Sequence, residues 1–203
     1  MMNRAVFLDK DGTLIKDVPY NVNPDLIELS SGAVEGLRSL QAAGYKLIVI
    51  SNQSGVALGY FTEEMLLPVR LKLTQLLAEF GVKLTAFYYC PHHPEGKIPE
   101  YKISCSCRKP EPGLILRAAK ENHIDLANSW FIGDILNDVE AGHRAGCQSI
   151  LINNGNETEW VFTSRRMPDY VATNINDAAK KIIKKTFAFP QSKMINYVSH
   201  QCL

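Results

Sequence analysis

Two kinds of apolar pattern alternate along this chain. Residues 5–8 and 47–50 are unbroken apolar runs, the mark of strands buried on both faces. Further strand-like runs fall at 84–89, 130–132, 149–152 and 169–172. Between them apolar side chains return at helical spacing. Val34, Leu37 and Leu40 mark a helix over 33–43, with Gly44 as its stop. Met65, Val69, Leu73, Leu76 and Phe80 mark another behind Thr62 as N-cap, where Pro68 predicts a kink or a late start. Helices are also expected over 114–122, 138–145 and 175–183. Strands alternating with helices predict an α/β fold of three layers, a Rossmann-like parallel sheet with helices on both faces. One domain over 1–185 accounts for the pattern. Residues 186–203 have no period and are expected to be a loosely held tail. Only 90–112 is a loop long enough to demand an explanation.

Ligands of such sheets collect beyond the carboxyl ends of the strands. There the chain places Asp9-Lys10-Asp11-Gly12-Thr13 after the first run, Ser51-Asn52-Gln53 after the second, and Gly133-Asp134, with Asp138 beyond, after 130–132. Carboxylates two apart on an extended chain point the same way. Gly12 lets the backbone turn sharply toward a ligand. A lone Asp-Gly is ordinarily a turn, but that does not explain acidic and polar groups ending several strands in register. Carboxylates gathered in one place repel unless a hard cation such as Mg2+ joins them.

The long loop carries a second constellation. It reads Cys90-Pro91-His92-His93-Pro94, then Cys105-Ser106-Cys107. The chain has 5 cysteines, an odd number, and in a reducing compartment such clustering points to metal before disulfide. Cys90, His92, Cys105 and Cys107 form a closed Cys3His set suited to tetrahedral, structural Zn2+, with His93 the rival of His92. The surroundings are rich in proline and poor in apolar residues, so they offer these cysteines no core. Cys147, at a strand entrance, is expected in the core. Arg108 and Lys109 follow Cys107 directly, so a zinc knot would fix the base of the segment bearing both cations.

Composition narrows the partners. With 46% apolar and 21% charged residues the chain is not disordered. A net charge of +1 without a basic run provides no footprint for nucleic acid. No apolar run approaches the ~20 residues of a membrane helix, and Met1-Met2-Asn3-Arg4 lead into the first strand without a secretory leader. A cytoplasmic location is expected, a monomer is favoured, and a local basic site for one small phosphate is still allowed.

The four motifs Asp9-Lys10-Asp11-Gly12-Thr13, Ser51-Asn52-Gln53, Arg108-Lys109-Pro110 and Gly133-Asp134 to Asp138 resemble, in that order, those of the haloacid dehalogenase (HAD) superfamily. The match spans roughly residues 5–155. The resemblance implies Asp9 as nucleophile and magnesium ligand. It implies Asp11 as general acid/base, with its backbone carbonyl on the metal, and Asp134 as the third ligand. Ser51 and Lys109 would hold the transferring phosphoryl group, and Asp138 would orient loops. The cysteine loop is similar to that of the branch containing D-glycero-D-manno-heptose 1,7-bisphosphate 7-phosphatases and histidinol-phosphate phosphatases, the heptose enzymes being closer, to about residue 185. That branch has no large cap. The zinc loop and residues 16–24 would shape the pocket, with Asn52, Gln53, Ser54, Gly55 and Arg108 as substrate contacts. One position departs: the branch usually carries Lys or Arg after Gly-Asp, and this chain has Ile135. The expected activity is magnesium-dependent phosphomonoester hydrolysis through an aspartyl phosphate on Asp9. A heptose bisphosphate or related sugar phosphate is the leading substrate, and histidinol phosphate or another small phosphomonoester the alternative. A phospho-acceptor signalling domain would also gather acids, a hydroxyl and a lysine on a parallel sheet, but it needs neither paired acids nor a zinc loop.

Overall fold

The structure, a computed structural model, describes residues 2–187. Strands β1 (Arg4–Leu8), β2 (Tyr45–Asn52), β3 (Ala86–Cys90), β4 (Trp130–Gly133), β5 (Gln148–Ile152) and β6 (Tyr170–Ala172) form one sheet. Their order is β3-β2-β1-β4-β5-β6, and every adjacent pair is parallel. The helices are α1 (Ala33–Ala42), α2 (Gly55–Leu58), α3 (Leu66–Glu79), α4 (Gly113–Asn122), α5 (Leu136–Ala145) and α6 (Ile175–Phe187).

The unbroken apolar runs have the expected cause. Side chains alternate across a strand, and both sides of the central strands are covered. Val6, Leu8, Leu47 and Val49 pack with Leu37 and Leu40 of α1, Leu73 of α3 and Ile182 of α6. Ala5, Phe7, Ile48 and Ile50 pack on the other face with Ile115 and Ala118 of α4 and Ala141 of α5. Burying such a side chain contributes about 1.5–3 kcal/mol, so a strand apolar on both faces is anchored twice. This is the three-layer arrangement expected from the pattern.

Element ends differ from the expectation where polar residues continue an element. β2 runs to Asn52 because Ser51 and Asn52 still pair with Tyr89 and Cys90 of β3. The α3 region begins with a 3-10 turn over Glu63–Met65, and the helix proper starts at Leu66. Pro68 thus lies in the first turn, where its missing N–H has no helical partner to lose. The short α2, with no apolar period, was not expected. α6 reaches Phe187. Residues 188–203, the bulk of the expected tail, lie outside the described residues. Beyond the sheet and helices, the described residues form only short 3-10 turns and loops, and no cap domain.

Candidate active site

The strand order turns back between β1 and β4, and the crevice beyond their carboxyl ends is where open parallel sheets hold ligands. Asp9 leaves β1 there, its N–H donating to Ile132 O of β4 at 3.0 Å. Gly12 sits at φ +77, and a Cβ on it would lie 2.1 Å from Asp134 Oδ2, so only glycine fits. Asp134 follows β4. Asp138 lies in the first turn of α5, where its Oδ2 accepts from the N–H groups of Asp134 at 3.2 Å and Ile135 at 3.3 Å. That cap fixes the loop bearing Asp134.

Asp9, Asp134 and Asp138 are all buried and bring one oxygen each within 4.8 Å of one another. Lys109 is buried among them, its Nζ 2.5 Å from Asp9 Oδ1, 2.6 Å from Asp138 Oδ1 and 3.2 Å from Ile50 O. Asp138 and Lys109 form a fully buried ion pair. Burial pushes the Asp9 carboxyl up to about 7 against the pull of Lys109. Burial also pushes Asp134 up to about 6, with the Asp9 charge adding to it. Burial opposes the charge on Lys109, but Asp138 and Asp9 outweigh it and hold the ammonium charged. One ammonium therefore serves three carboxylates. Asp138 pairs with Lys109 and caps the loop before α5, while Asp9 and Asp134 end their strands at the crevice and offer the carboxylate oxygens that suit Mg2+.

Asp11 stands at the mouth. Gln53 Nε2 donates to its Oδ2 at 3.1 Å and also to Ser51 Oγ at 2.8 Å, while Lys10 Nζ lies 2.7 Å from its Oδ1. Asn52 grips the main chain of Lys109 in both directions, Nδ2 donating to Lys109 O at 3.1 Å and Oδ1 accepting from Lys109 N at 3.0 Å. A cleft of about 440 Å³ opens beside Asp11. Asn52, Gln53, Ser54 and Gly55 form one wall, Asp17, Tyr20 and Asn21 another, and Ile135 faces it too. Arg108 stands behind this wall, Nη1 donating to Ser54 Oγ at 3.1 Å.

The four proposed zinc ligands converge. Cys107 Sγ lies 3.0 Å from Cys90 Sγ, 2.9 Å from Cys105 Sγ and 3.2 Å from His92 Nδ1. His93 is outside the group, its Nδ1 accepting from Glu95 N. A tetrahedron with Zn–S bonds of about 2.3 Å has edges of roughly 3.8 Å, so these atoms need only spread slightly to hold the ion. Burial pushes Cys90 well above the ordinary thiol range and Cys107 up to about 11. Burial raises the Cys105 thiol too, but hydrogen bonds from Cys107 and Cys90 outweigh it and lower it, and a metal takes all three sulfurs as thiolates. The soft donor set and its closure fit structural zinc. Cys147 is buried in the core beside Phe131, as expected.

The residues beyond β5 brace the site as well, a contribution not among the expected site residues. Asn154 Nδ2 donates to Gly12 O at 2.7 Å, Asn156 Nδ2 to Asp134 Oδ2 at 2.7 Å, and Glu157 Oε2 accepts from Leu136 N at 2.5 Å. Three polar side chains in four residues beyond a parallel strand were the available signal.

Known proteins match this geometry. The HAD-hydrolase-like family matches residues 106–178. The D-glycero-beta-D-manno-heptose-1,7-bisphosphate 7-phosphatase of Pasteurella multocida is 42% identical over 183 residues, 89% of this chain and 97% of its own. The Haemophilus influenzae protein of the same name is 40% identical over 91% of this chain and 98% of its own. The crystal structure of D,D-heptose 1,7-bisphosphate phosphatase from B. bronchiseptica, complexed with magnesium and phosphate, superposes with a TM-score of 0.75 at 28% identity, covering 90% of this chain and 99% of that one. With a relative 42% identical over nearly its whole length and the same parallel sheet beneath the site, this chain belongs to the HAD phosphatase superfamily, in the heptose-bisphosphate phosphatase family.

Proposed function

We propose that this phosphatase removes the 7-phosphate of D-glycero-β-D-manno-heptose 1,7-bisphosphate through a phosphoryl group carried on Asp9. The observation that carries this reading is the buried meeting of Asp9 with Lys109 at 2.5 Å, beside Asp134, in a chain 42% identical to an enzyme of that name. Phosphate-monoester hydrolysis needs up to ~10²¹-fold acceleration, roughly 28 kcal/mol, and no single group supplies that.

A carboxylate nucleophile divides the reaction into two displacements. A carboxylate oxygen of Asp9 bonds to phosphorus as the sugar oxygen departs with a proton from Asp11. Water then bonds to phosphorus, Asp11 takes its proton, and the bond to Asp9 breaks to release phosphate. Lys109, held charged by Asp138, faces the phosphoryl oxygens, and Ser51 donates a hydrogen bond to them. Asn52 sets the position of Lys109, and Gln53 that of Ser51 and Asp11. Magnesium bound by Asp9, Asp134 and the Asp11 carbonyl supplies Lewis-acid charge to the same oxygens. The sugar occupies the cleft between Ser54 and Tyr20. Zinc at Cys90, His92, Cys105 and Cys107 is structural and keeps Arg108 and Lys109 at the site.

Every group in this scheme comes from one chain, which supports a monomer as the working unit. Among the described residues no helix is long and apolar enough to cross a membrane, and a cytoplasmic sugar phosphatase accords with that. Phosphate release from a panel of sugar phosphates tests the reading. The 1,7-bisphosphate should give the highest kcat/KM and yield the 1-phosphate. A higher kcat/KM on histidinol phosphate, or loss of the 1-phosphate instead, would overturn the substrate assignment.

A further inference from the structure

Asp134 is gripped on both oxygens. Thr13 Oγ1 donates to Oδ1 at 2.9 Å, and Asn156 Nδ2 donates to Oδ2 at 2.7 Å. Thr13 belongs to the Asp9 loop, but Asn156 comes from beyond β5, outside all four motifs. Its own position is fixed twice. Asn156 N donates to Asn154 Oδ1 at 3.1 Å, and Asn154 Nδ2 returns to Gly12 O at 2.7 Å. Next along the chain, Glu157 holds the first N–H of α5 at Leu136. One short segment thereby touches the loop after β1, the loop after β4 and the start of α5. Gly12 has no room for a side chain because Asp134 and Asn156 occupy the space, with Asn156 Nδ2 2.4 Å from where its Cβ would be.

We infer that Asn156 is a positioning residue for magnesium, orienting the Asp134 carboxylate from outside the metal site. The inference rests on the magnesium role proposed above for Asp134. A neutral amide suits this task. It aims and steadies the carboxylate without adding a positive charge that would compete with the cation. Burial disfavours a charged Asp134, and the Thr13 and Asn156 hydrogen bonds oppose that effect. Asn156 is itself largely exposed, whereas Asp134 is buried. Truncating Asn156 therefore opens no core cavity, and an effect on metal binding reports the lost amide.

Calorimetric titration of magnesium into zinc-loaded protein tests the inference. Asn156→Ala should weaken magnesium binding about tenfold, the lower end of what removing a partner of a ligating carboxylate usually does. At saturating magnesium its kcat should stay within about twofold of wild type, because the ligands themselves remain. Asn156→Gln, which keeps an amide on a longer arm, should recover part of the affinity. Asn153→Ala, an exposed neighbour outside the brace, should leave it unchanged. The thermal midpoint of the zinc-loaded, magnesium-free protein confirms that each variant is folded. Asp134→Asn separates the two levels of the argument: if it binds magnesium as well as wild type, the metal assignment itself fails. If Asp134→Asn loses magnesium while Asn156→Ala stays within twofold of wild type, the brace alone is refuted. Equal weakening in Asn153→Ala would refute it as well.

Discussion

The two metal-type clusters of this enzyme are built on opposite principles. The carboxylate site draws Asp9, Lys109, Asp134 and Asp138 from positions far apart in the chain, and the sheet brings them together. The zinc knot draws Cys90 from the end of β3 and His92, Cys105 and Cys107 from the loop that follows, all within eighteen residues, and its sulfurs rest on the core beneath the sheet. The first is a site made by a fold. The second is a local fold made by a site. A sheet anchored on both faces can tolerate three carboxylates around one ammonium, so magnesium can come and go there. Against the expectation from sequence, Cys90, Cys105 and Cys107 do pack on the core, but the rest of the long loop has little such reserve, so zinc binding adds directly to its folding energy. Removing a ligand should therefore damage chemistry in one place and structure in the other.

The largest effect should come from Asp9→Asn. An amide is a poor nucleophile and a poorer magnesium ligand, so turnover should fall by about 10⁴-fold or more. The fold should not suffer. Burial raises the Asp9 carboxyl to about 7, which means that its charged form is held at some cost. The thermal midpoint of magnesium-free, zinc-loaded protein at about pH 8 should thus be equal to wild type or higher. A large drop in that midpoint would contradict the idea of a site carried passively by its sheet.

Cys107→Ser should invert the pattern. Zinc content should fall from about one per chain toward zero, and the thermal midpoint should drop by several degrees. Activity should fall less steeply, by roughly 10–100-fold, because Arg108 and Lys109 lose their anchor while Asp9 and Asp134 keep theirs. Elemental analysis, melting and kinetics on one preparation check all three. A variant that lost zinc yet melted and turned over as wild type would separate the knot from the active site.

The same contrast explains what could be read from the sequence. The fold was legible because β1 and β2 are apolar on both faces, and unbroken runs survive without an alignment. The meeting of Cys90, His92, Cys105 and Cys107 was legible because their spacing is local. The meeting of Asp9 and Asp134 could be read because both follow strands at the crevice. The work of Asn52 and Gln53 could not be read, because a hydrogen bond to the Lys109 main chain or to Ser51 leaves no period and no spacing. α2 escaped for a related reason: four residues are too few to show a 3.6-residue repeat. The Asn154–Asn156–Glu157 brace does carry a signal, because polar residues follow β5 at the same carboxyl edge of the sheet as the motifs after β1, β2 and β4.

Acid should act on the two clusters with opposite signs. In the metal-free carboxylate site, Asp9 and Asp134 titrate in the folded protein near 7 and 6, above their ordinary value of 3.8. The native state then holds more protons than the unfolded chain. Stability from these groups is complete below the ordinary carboxylate range and is lost as pH rises through about 6–7. Zinc-loaded, magnesium-free protein should therefore melt a few degrees higher at about pH 5.5 than at about pH 8. Magnesium should erase most of the deficit at pH 8, because it binds the charged carboxylates of the native state. The knot runs the other way, since protons compete with zinc for its thiolates and release the metal as pH falls. Melting curves at both pH values with and without magnesium, alongside zinc release, resolve the two trends. An unchanged slope in Asp9→Asn would remove Asp9 as a source of the first.

The smallest effect should come from Ile135, which lies between the two clusters in function. It faces the cleft beside Asp11, and its N–H is pinned by Asp138, so a substitution changes the side chain without moving the loop. The cations near the cleft are already engaged: Lys10 pairs with Asp11, and Arg108 donates to Ser54. If the non-reacting phosphate of a bisphosphate lies in this cleft, it meets no dedicated cation at position 135. A rim ion pair is worth about 0–1 kcal/mol, and a charge-assisted bond to bound phosphate roughly 1.5–3. At the partly open cleft the lower figure should dominate. Ile135→Lys should therefore raise the preference for the bisphosphate over the matching monophosphate by about twofold to fivefold, chiefly through KM. Arg108→Ala should lower the same preference, since a guanidinium fork is the group best shaped to take up a phosphate that position 135 does not hold. The deciding quantity is the ratio of kcat/KM for the two substrates in wild type and both variants. If Arg108→Ala shifts it and Ile135→Lys does not, the second phosphate is held from the zinc-knot side of the cleft, and the departure at 135 carries no message about substrate.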